Sequence, residues 1–302
     1  MEEGKEGLVK KIISRVLIVF LFINFVFLIY FFSYHQPYDR LEVIFLDIGQ
    51  GDAILIKTPQ NKNILIDGGP DQKIIYKIDH YLSFNNRQID LMILTHPDPD
   101  HFTGLVEVLS RLKVKKIITN GVRDNSSTYL LFERLIKEKE LTPLVVKKPL
   151  RIDMGGDLFL DFFWPREDLE NKILGDDNHF SLVFKMVFKK STFLFTGDAD
   201  EKAEEEIIFS EEGLKADVLK VGHHGSKYSS SLDFLRKIEP RYAIISCEKN
   251  NKFGHPNLRV LKNLETVGAK VFRTDELGDI IFETDGSNLF LSRCARSREA
   301  GK

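Results

Sequence analysis

The sequence predicts an α/β fold of four layers, two β-sheets packed face to face with helices on both outer surfaces. Two observations carry this. Apolar, strand-like runs cluster in both halves of the chain, and segments with helical spacing interrupt them in each half. A third observation concerns chemistry: acids and histidines recur directly after the strand-like runs, as expected where strand ends converge on one rim. A chain of 302 residues is long enough for one large domain of this kind.

An apolar segment comes first. Val16–Phe32 reads VLIVFLFINFVFLIYFF, broken only by Asn24 and the hydroxyl of Tyr30. With Ile12, Ile13 and Ser33 it approaches the roughly 20 residues that cross a hydrocarbon core, and it has no polar face for a soluble exterior. No small-residue cleavage site follows it, so residues 12–33 are predicted to be an uncleaved transmembrane anchor. Lys5, Lys10, Lys11 and Arg15 precede the span and only Arg40 follows closely. That bias places residues 1–11 in the cytoplasm and the domain outside it, as a single-pass protein of the cell membrane. Residues 34–40 form a short tether, and residues 293–302 a polar tail.

Between them, residues 41–292 read as the domain. LEVIFLDIG, DAILIKTP and KNILIDGG are consecutive strands, and QIDLMILTH is a fourth apolar run. Helical spacing appears in LVEVLSRL, from Leu105, and in TYLLFERLIKEKE, with VKKIITN and TPLVVKK as strands around the latter. DLFLDFFW, SLVFKMVF and STFLFTGD follow as strands. After a helix at Glu201–Phe209 come a strand at Asp217–Val221, a helix near Leu232–Lys237, the strand YAIISC, the helix NLRVLKNLETVG, and the strands KVFRT and GDIIFETDG.

Bulk properties exclude several classes. Net charge is −2, so no global basic field recruits nucleic acid. Cys247 and Cys294 have unrelated surroundings and suit neither a zinc–thiolate motif nor a disulfide framework. No arginine-rich stripe or run of aromatics announces a single-strand binding surface.

The chemistry concentrates in THPDPDHFTG, residues 95–104. Imidazole nitrogen and carboxylate oxygen suit zinc, manganese or iron. His96 and Asp98 are two apart, and on an extended stretch they face the same way; Asp100 and His101 are adjacent and could serve a second ion. The bland alternative is a turn with Asp100 as a helix cap. Further along, Asp67 follows the third strand in DGG, Asp198 follows another in FTGDAD, His223 and His224 follow another in KVGHHGSKYSSS, and His255 lies in NKFGHPN. Scattered surface histidines would not keep to strand ends in this way.

HPDPDH, TGD and GHHGS together resemble the metallo-β-lactamase superfamily, and most closely the hydrolase domain of ComEC-type competence DNA-uptake proteins. FLDIGQGDAILIKTP, DDNHFSLVF, DVLKVGHHGSKYSSS and FGHPN occur in that subfamily's order, from about Leu41 to about Leu291. The resemblance implies the four-layer αββα sandwich and two divalent ions. His96 and Asp98 would hold the first, Asp100 and His101 the second, with Asp198 bridging. His223 would close the second ion, and His224 beside it could take that role. Asp67 would support the loop. Asn178 and His179 compete to complete the first ion's surroundings. Direct catalytic contributions would fall to Asp100, His255 and Lys227, with Ser226 beside Lys227 as a phosphate contact; a capped helix with a solvated lysine explains the same residues. Asp98 replaces the superfamily's usual histidine with a harder anionic ligand, which favours manganese or magnesium while leaving zinc allowed. Thr103 stands where a glycine is usual.

The implied function is a membrane-anchored, metal-dependent hydrolase, a phosphodiesterase or nuclease acting on single-stranded DNA, with the lipid bilayer and a separate membrane channel protein as partners. Two other readings compete: a small-molecule esterase for phosphocholine-type esters or lactones, and a non-catalytic binding protein that kept the fold. The complete set of acids and histidines argues against the last, and Asp98 with GHHGS argues against β-lactam hydrolysis.

Overall fold

The computed structural model describes residues 2–34, 40–173, 178–210 and 213–295. The first unit is a single helix, α1 (Glu2–Tyr34). It extends through residues expected to be a separate cytoplasmic segment, because nothing in EEGKEGLVKK breaks a helix except Gly7. Within it, Lys11–Ile29 has a mean hydropathy of 2.7 and its side chains are exposed, so this one helix is long and apolar enough to cross a membrane. The polar exception, Asn24, gives its amide to the Phe20 carbonyl one turn back. Most of the expected tether and most of the polar tail lie outside the described residues.

In the second unit the chain runs as follows. Strands β1 (Leu41–Phe45), β2 (Ile54–Lys57) and β3 (Asn63–Ile66) form a meander, followed by helix α2 (Lys73–Tyr81). Next come β4 (Gln88–Ile89), β5 (Leu91–Leu94), α3 (Pro99–Arg111), β6 (Lys113–Val114), β7 (Ile117–Thr119), α4 (Ser127–Glu138) and β8 (Leu144–Val145). The second half has β9 (Leu150–Gly155), β10 (Leu158–Trp164), β11 (Val183–Phe188), β12 (Ser191–Phe195), α5 (Glu201–Ser210), β13 (Val218–Lys220), α6 (Leu232–Ile238) and β14 (Tyr242–Ile245). It closes with α7 (Leu258–Thr266), β15 (Lys270–Arg273), α8 (Thr274–Leu277), β16 (Asp279–Thr284) and β17 (Leu289–Ala295).

Two large sheets result, one ordered β17-β16-β1-β2-β3-β5-β7-β8 and the other β15-β14-β13-β12-β11-β10-β9, while β4 and β6 pair in a separate two-stranded sheet. Between the large sheets lies an aromatic core that includes Phe45, Phe162, Phe184, Phe193, Phe195 and Phe282. Each buried phenylalanine contributes on the order of 2–3 kcal/mol of transfer free energy. The outer face of the first sheet packs on α2, α3 and α4, and that of the second on α5, α6 and α7. The four predicted layers are therefore present.

Four elements escaped the sequence reading. Helix α2 buries Ile74, Ile75 and Ile78, a helical stripe too short to stand out between DGG and QIDL. Edge strand β9 alternates half-buried and exposed, and α8 is a single turn. Strand β17 pairs antiparallel with β16 and runs to Ala295, so pairing carries the chain into residues expected to begin the polar tail. Helix α3 also starts at Pro99 rather than Leu105. Proline fits the first helical position because its missing N–H has no partner to lose there.

Topology explains where the polar residues gather. β3, β5 and β7 run parallel, as do β12, β13 and β14. Parallel strands end on one rim, and sites in α/β folds form at the carboxyl ends of strands. Asp67 follows β3, His96 follows β5, Asp198 follows β12, and His223 and His224 follow β13. β1 is antiparallel to β2, which is antiparallel to β3, so β1 also ends there and delivers residues 46–53 to the same rim.

Candidate metal centre

Asp67 organises one side of the cluster. Its φ of 54° is left-handed, a conformation that costs a non-glycine residue roughly 1–3 kcal/mol and is held where function needs it. Oδ1 accepts the Thr95 N–H at 2.8 Å, and Oδ2 accepts the Thr95 hydroxyl at 2.7 Å. His101 Nδ1 lies 2.9 Å from the same Oδ2. A carboxylate only accepts, so that nitrogen carries the proton and Nε2 is free to offer its lone pair. Having given its proton to Asp67, the Thr95 hydroxyl accepts from His96 Nδ1 at 3.0 Å. His96 Nε2 is thereby also left as a lone pair. One aspartate thus sets the tautomer of two histidines, a common arrangement behind metal-binding imidazoles.

The loop before this rim and the first turn of α3 are pressed together. A Cβ on Gly104 would lie 1.9 Å from the Gly68 carbonyl oxygen, so only glycine fits that approach, and Gly68 N–H bonds to the His101 carbonyl at 2.7 Å. Thr103, the departure noted in the sequence, is simply a residue of this helix.

Asp198 lies between the two sides. Oδ1 is 3.3 Å from His101 Nε2, and Oδ2 is 3.4 Å from His224 Nε2. Asp100 Oδ2 reaches His224 Nε2 at 3.2 Å. Four groups of side chains bring their ligand atoms within 4.8 Å of one another: His96, His101 and Asp198; Asp100, His101 and His224; Asp52, Asp67 and His101; and Asp52, Asp198 and His224. Nε2 of His96, His101 and His224 and Oδ1 of Asp198 are buried and have no hydrogen-bond partner. Unpartnered buried polar atoms are costly, and here they converge. The donor set of imidazole and carboxylate fits divalent cations.

Electrostatics agree. Burial works to raise the Asp198 carboxyl's pKa, but the charges of His224, His101 and His223 overcome it and hold it well below the ordinary carboxylate range. Asp100 is likewise lowered, against burial, by the adjacent His224 and His101. Burial would lower His224, yet Asp198, Asp52 and Asp100 push it up to about 10. His101 is raised well above its usual value against burial by Asp198 and Asp67. These acids hold positive charge in place, as protons or as metal.

Not every predicted residue joins the groups. His223 and His224 both have left-handed backbones, with φ of 47° and 53°, and this turns their rings apart. His224 is buried in the centre. His223 stays on the mouth, its Nε2 3.8 Å from Asp198. His224 therefore occupies the position for which His223 was the first choice. Asp98 is the residue before α3, but its carboxylate caps no helix N–H and instead lies 3.6 Å from His96 Nε2. His179 turns away: Nδ1 bonds to Asp200 at 2.9 Å, and its carbonyl accepts the Trp164 indole N–H. Neighbouring Asn178 keeps a buried, unpartnered Oδ1.

Around GHHGSKYSSS most hydroxyls are already used. Ser226 Oγ faces the Tyr228 N–H, Ser229 bonds to the Gly222 carbonyl, and Ser231 caps α6 by accepting the Phe234 N–H. Lys227 lies with its ammonium 4.8 Å from the Tyr228 ring centre rather than in the centre. Ser226 is thus engaged within its own loop, and Lys227 sits at the rim. His255 lies beside His223, ring centres 5.7 Å apart. Burial first, then the charges of His224 and His223, lower its pKa to about 4, so at neutral pH it is an uncharged hydrogen-bonding group rather than a loaded acid.

Sequence reasoning missed Asp52, which sits against His224 with Lys220. Its motif, GQGD, reads locally as a turn. Also missed was an aromatic rim. Phe253 and Tyr228 are 56% and 61% exposed, and Phe253 stacks at 22° on His255, centre to centre 5.7 Å. Lys252 lies over Phe253 at 5.0 Å. The two loops meet where the Asn257 N–H bonds to the Gly225 carbonyl.

Comparison with known proteins gives the same picture. The metallo-beta-lactamase superfamily profile matches residues 46–248. The chain is 31% identical over 266 residues to ComE operon protein 3 of Bacillus subtilis, covering 79% of this chain and 32% of that protein. It is 31% identical over 248 residues to Competence protein ComA of Neisseria gonorrhoeae, covering 82% and 33%. Against Recombination protein 2 of Haemophilus influenzae it is 30% identical over 246 residues, covering 78% and 28%. The chain spans about a third of the length of these relatives. Among solved structures, the metallo-beta-lactamase fold protein YhfI from Bacillus subtilis matches with a TM-score of 0.54 at 14% identity, over 82% of this chain and 100% of that one.

Proposed function

This chain belongs to the metallo-β-lactamase superfamily, and from that premise we propose a membrane-anchored, metal-dependent phosphodiesterase acting on single-stranded DNA. The observation that carries the reading is the convergence of three imidazole lone pairs and the Asp198 carboxylate, buried and unpartnered, beneath an open rim. His96, Asp98 and Asp198 would hold one divalent cation, and Asp100, His101, His224 and Asp198 the other. Bound there, such ions supply Lewis acidity and lower the pKa of water. The residues do the rest: Asp198 spans the two groups, Asp67 fixes two imidazoles, and His255 and Asn178 offer neutral hydrogen bonds to substrate. The harder Asp98 supports manganese over zinc.

DNA is supported by the rim rather than by net charge. Phe253 lies one ring beyond His255, which lies one ring beyond His223, itself beside Asp198. An exposed ring with a lysine over it suits a base and its phosphate. The names of two relatives, a competence protein and a recombination protein, point the same way. Helix α1 would anchor the chain with its domain outside the cytoplasm, next to a separate channel protein. One feature favours a small-molecule ester instead: a cavity of about 500 Å³ beside His255, lined also by Asn251, Arg273 and Asp275.

The test is a substrate panel on the full chain in detergent, with manganese or zinc: single-stranded DNA, bis-nitrophenyl phosphate, a phosphocholine ester and a β-lactam. Manganese-dependent cleavage of DNA, lost in Asp198→Asn, is expected. Turnover of the phosphocholine ester alone would favour the second reading, and no phosphodiester turnover would overturn both.

A further inference from the structure

Lys220 and Asp52 are among the most deeply buried charged residues of the domain, both 1% exposed. Nζ contacts Asp52 Oδ2 at 2.7 Å and the Val221 carbonyl at 2.9 Å. A buried ion pair often stabilises no better than apolar residues of the same shape, so its presence calls for another reason. Its position supplies one. Asp52 Oδ1 is 3.4 Å from His224 Nδ1, and the Ser246 carbonyl is 2.9 Å from the same nitrogen. Both neighbours only accept, so Nδ1 carries the proton and Nε2 the lone pair.

Asp52 is placed there by its own loop. Gly51 has φ of +130°, and a Cβ on it would lie 2.2 Å from the Asp100 carbonyl oxygen. The Asp52 N–H donates to that same oxygen at 3.2 Å. One short loop therefore holds Asp100 through its backbone and sets a buried carboxylate oxygen, with no hydrogen bond of its own, 3.4 Å from Nδ1 of the His224 ring. Asp100 and His224 are two of the three residues in one cation group. Asp52 also falls within reach of a further group, with Asp198 and His224. The Lys220 ammonium occupies its outer oxygen and so keeps Asp52 as a support rather than a ligand.

We propose that the buried Asp52–Lys220 pair is a positioning device for His224, fixing its ring so that Nε2 faces the cation shared with Asp100 and His101. The proposal rests on the metal-dependent reading only for the nature of the ligand, a divalent cation.

The deciding variant is Asp52→Asn with Lys220→Met in the full chain, which removes both charges together. Zinc affinity and stoichiometry are read by competition with a chromophoric chelator, and folding by the thermal midpoint. A purely structural pair predicts a double variant that folds and binds two zinc ions as the wild type does, and that result overturns the proposal. A positioning pair predicts a folded double variant that keeps one ion and binds the second roughly 10–100-fold more weakly. Asp52→Asn alone should show the same selective loss. If neither variant folds, the charge-keeping Asp52→Glu decides, because it displaces the carboxylate while leaving Lys220 paired: selective weakening of the second ion supports the proposal, and wild-type affinity for both ions overturns it. Affinity is read without turnover, so the proposal can stand even where no phosphodiester is cleaved.

Discussion

On one side of Asp198, the ring of His101 is backed by Asp67; on the other, the ring of His224 is backed by Asp52 and the Ser246 carbonyl. Asp67 is compensated by neutral donors from Thr95, and through them it reaches His96 as well. Asp52 is compensated by a full cation, Lys220, and reaches one histidine. The comparison teaches that a carboxylate behind an imidazole can act in two ways. Left uncancelled, as at Asp67, it adds basicity and field to both cation groups. Paired with a cation, as at Asp52, it still raises the one imidazole it faces, His224, and its reach ends there.

The largest effect should come from the residue the two sides share. Asp198→Asn is expected to lower phosphodiester turnover by about 10³-fold or more, since it removes the charge between both groups. Turnover within tenfold of wild type would break the symmetric picture. Next, Asp67→Asn should weaken both ions by roughly 10–100-fold, where loss of Asp52 weakens one. Metal titration separates these outcomes, and equal selectivity in the two variants would erase the distinction between them.

A pH experiment sharpens the same contrast. His224 is raised to about 10 and His101 is also raised, so with no cation bound each carries a second proton at neutral pH, on the Nε2 that is a lone pair only once a cation takes its place. Cation uptake should release protons, measurable as a buffer-dependent heat in calorimetry. A raised folded-state pKa stabilises most fully below the unfolded value of about 6.5 and is lost as pH rises through the folded one. The cation-free chain should therefore lose thermal stability between about pH 6.5 and pH 10, and the loaded chain should not. The smallest effect is reserved for the rim: Phe253→Ala should raise KM for single-stranded DNA roughly 5–10-fold with kcat nearly unchanged, from exposed stacking at the low end of about 1–3 kcal/mol per base. An oligonucleotide abasic at the stacked position should be insensitive to the change.

Much of this was legible in the linear chain. Strand-terminal acids and histidines in THPDPDHFTG, FTGDAD and GHHGS mark a rim, because parallel strands must end together. The apolar run in α1 and the four layers follow from hydrophobic pattern alone, which depends only on local spacing. Short or edge elements, α2, α8, β9 and β17, were not legible. Their burial comes from neighbours distant in sequence and leaves little periodicity.

The sequence by itself therefore determined which residue types meet at the rim and on which strand ends they sit. Tertiary structure decided which of two adjacent histidines enters the centre. That choice rests on left-handed backbone angles at His223 and His224, which no side-chain pattern encodes. It also decided the role of Asp52, which lies 172 positions before His224 and touches it only because β1 and β13, in different sheets, end on the same side of the sandwich.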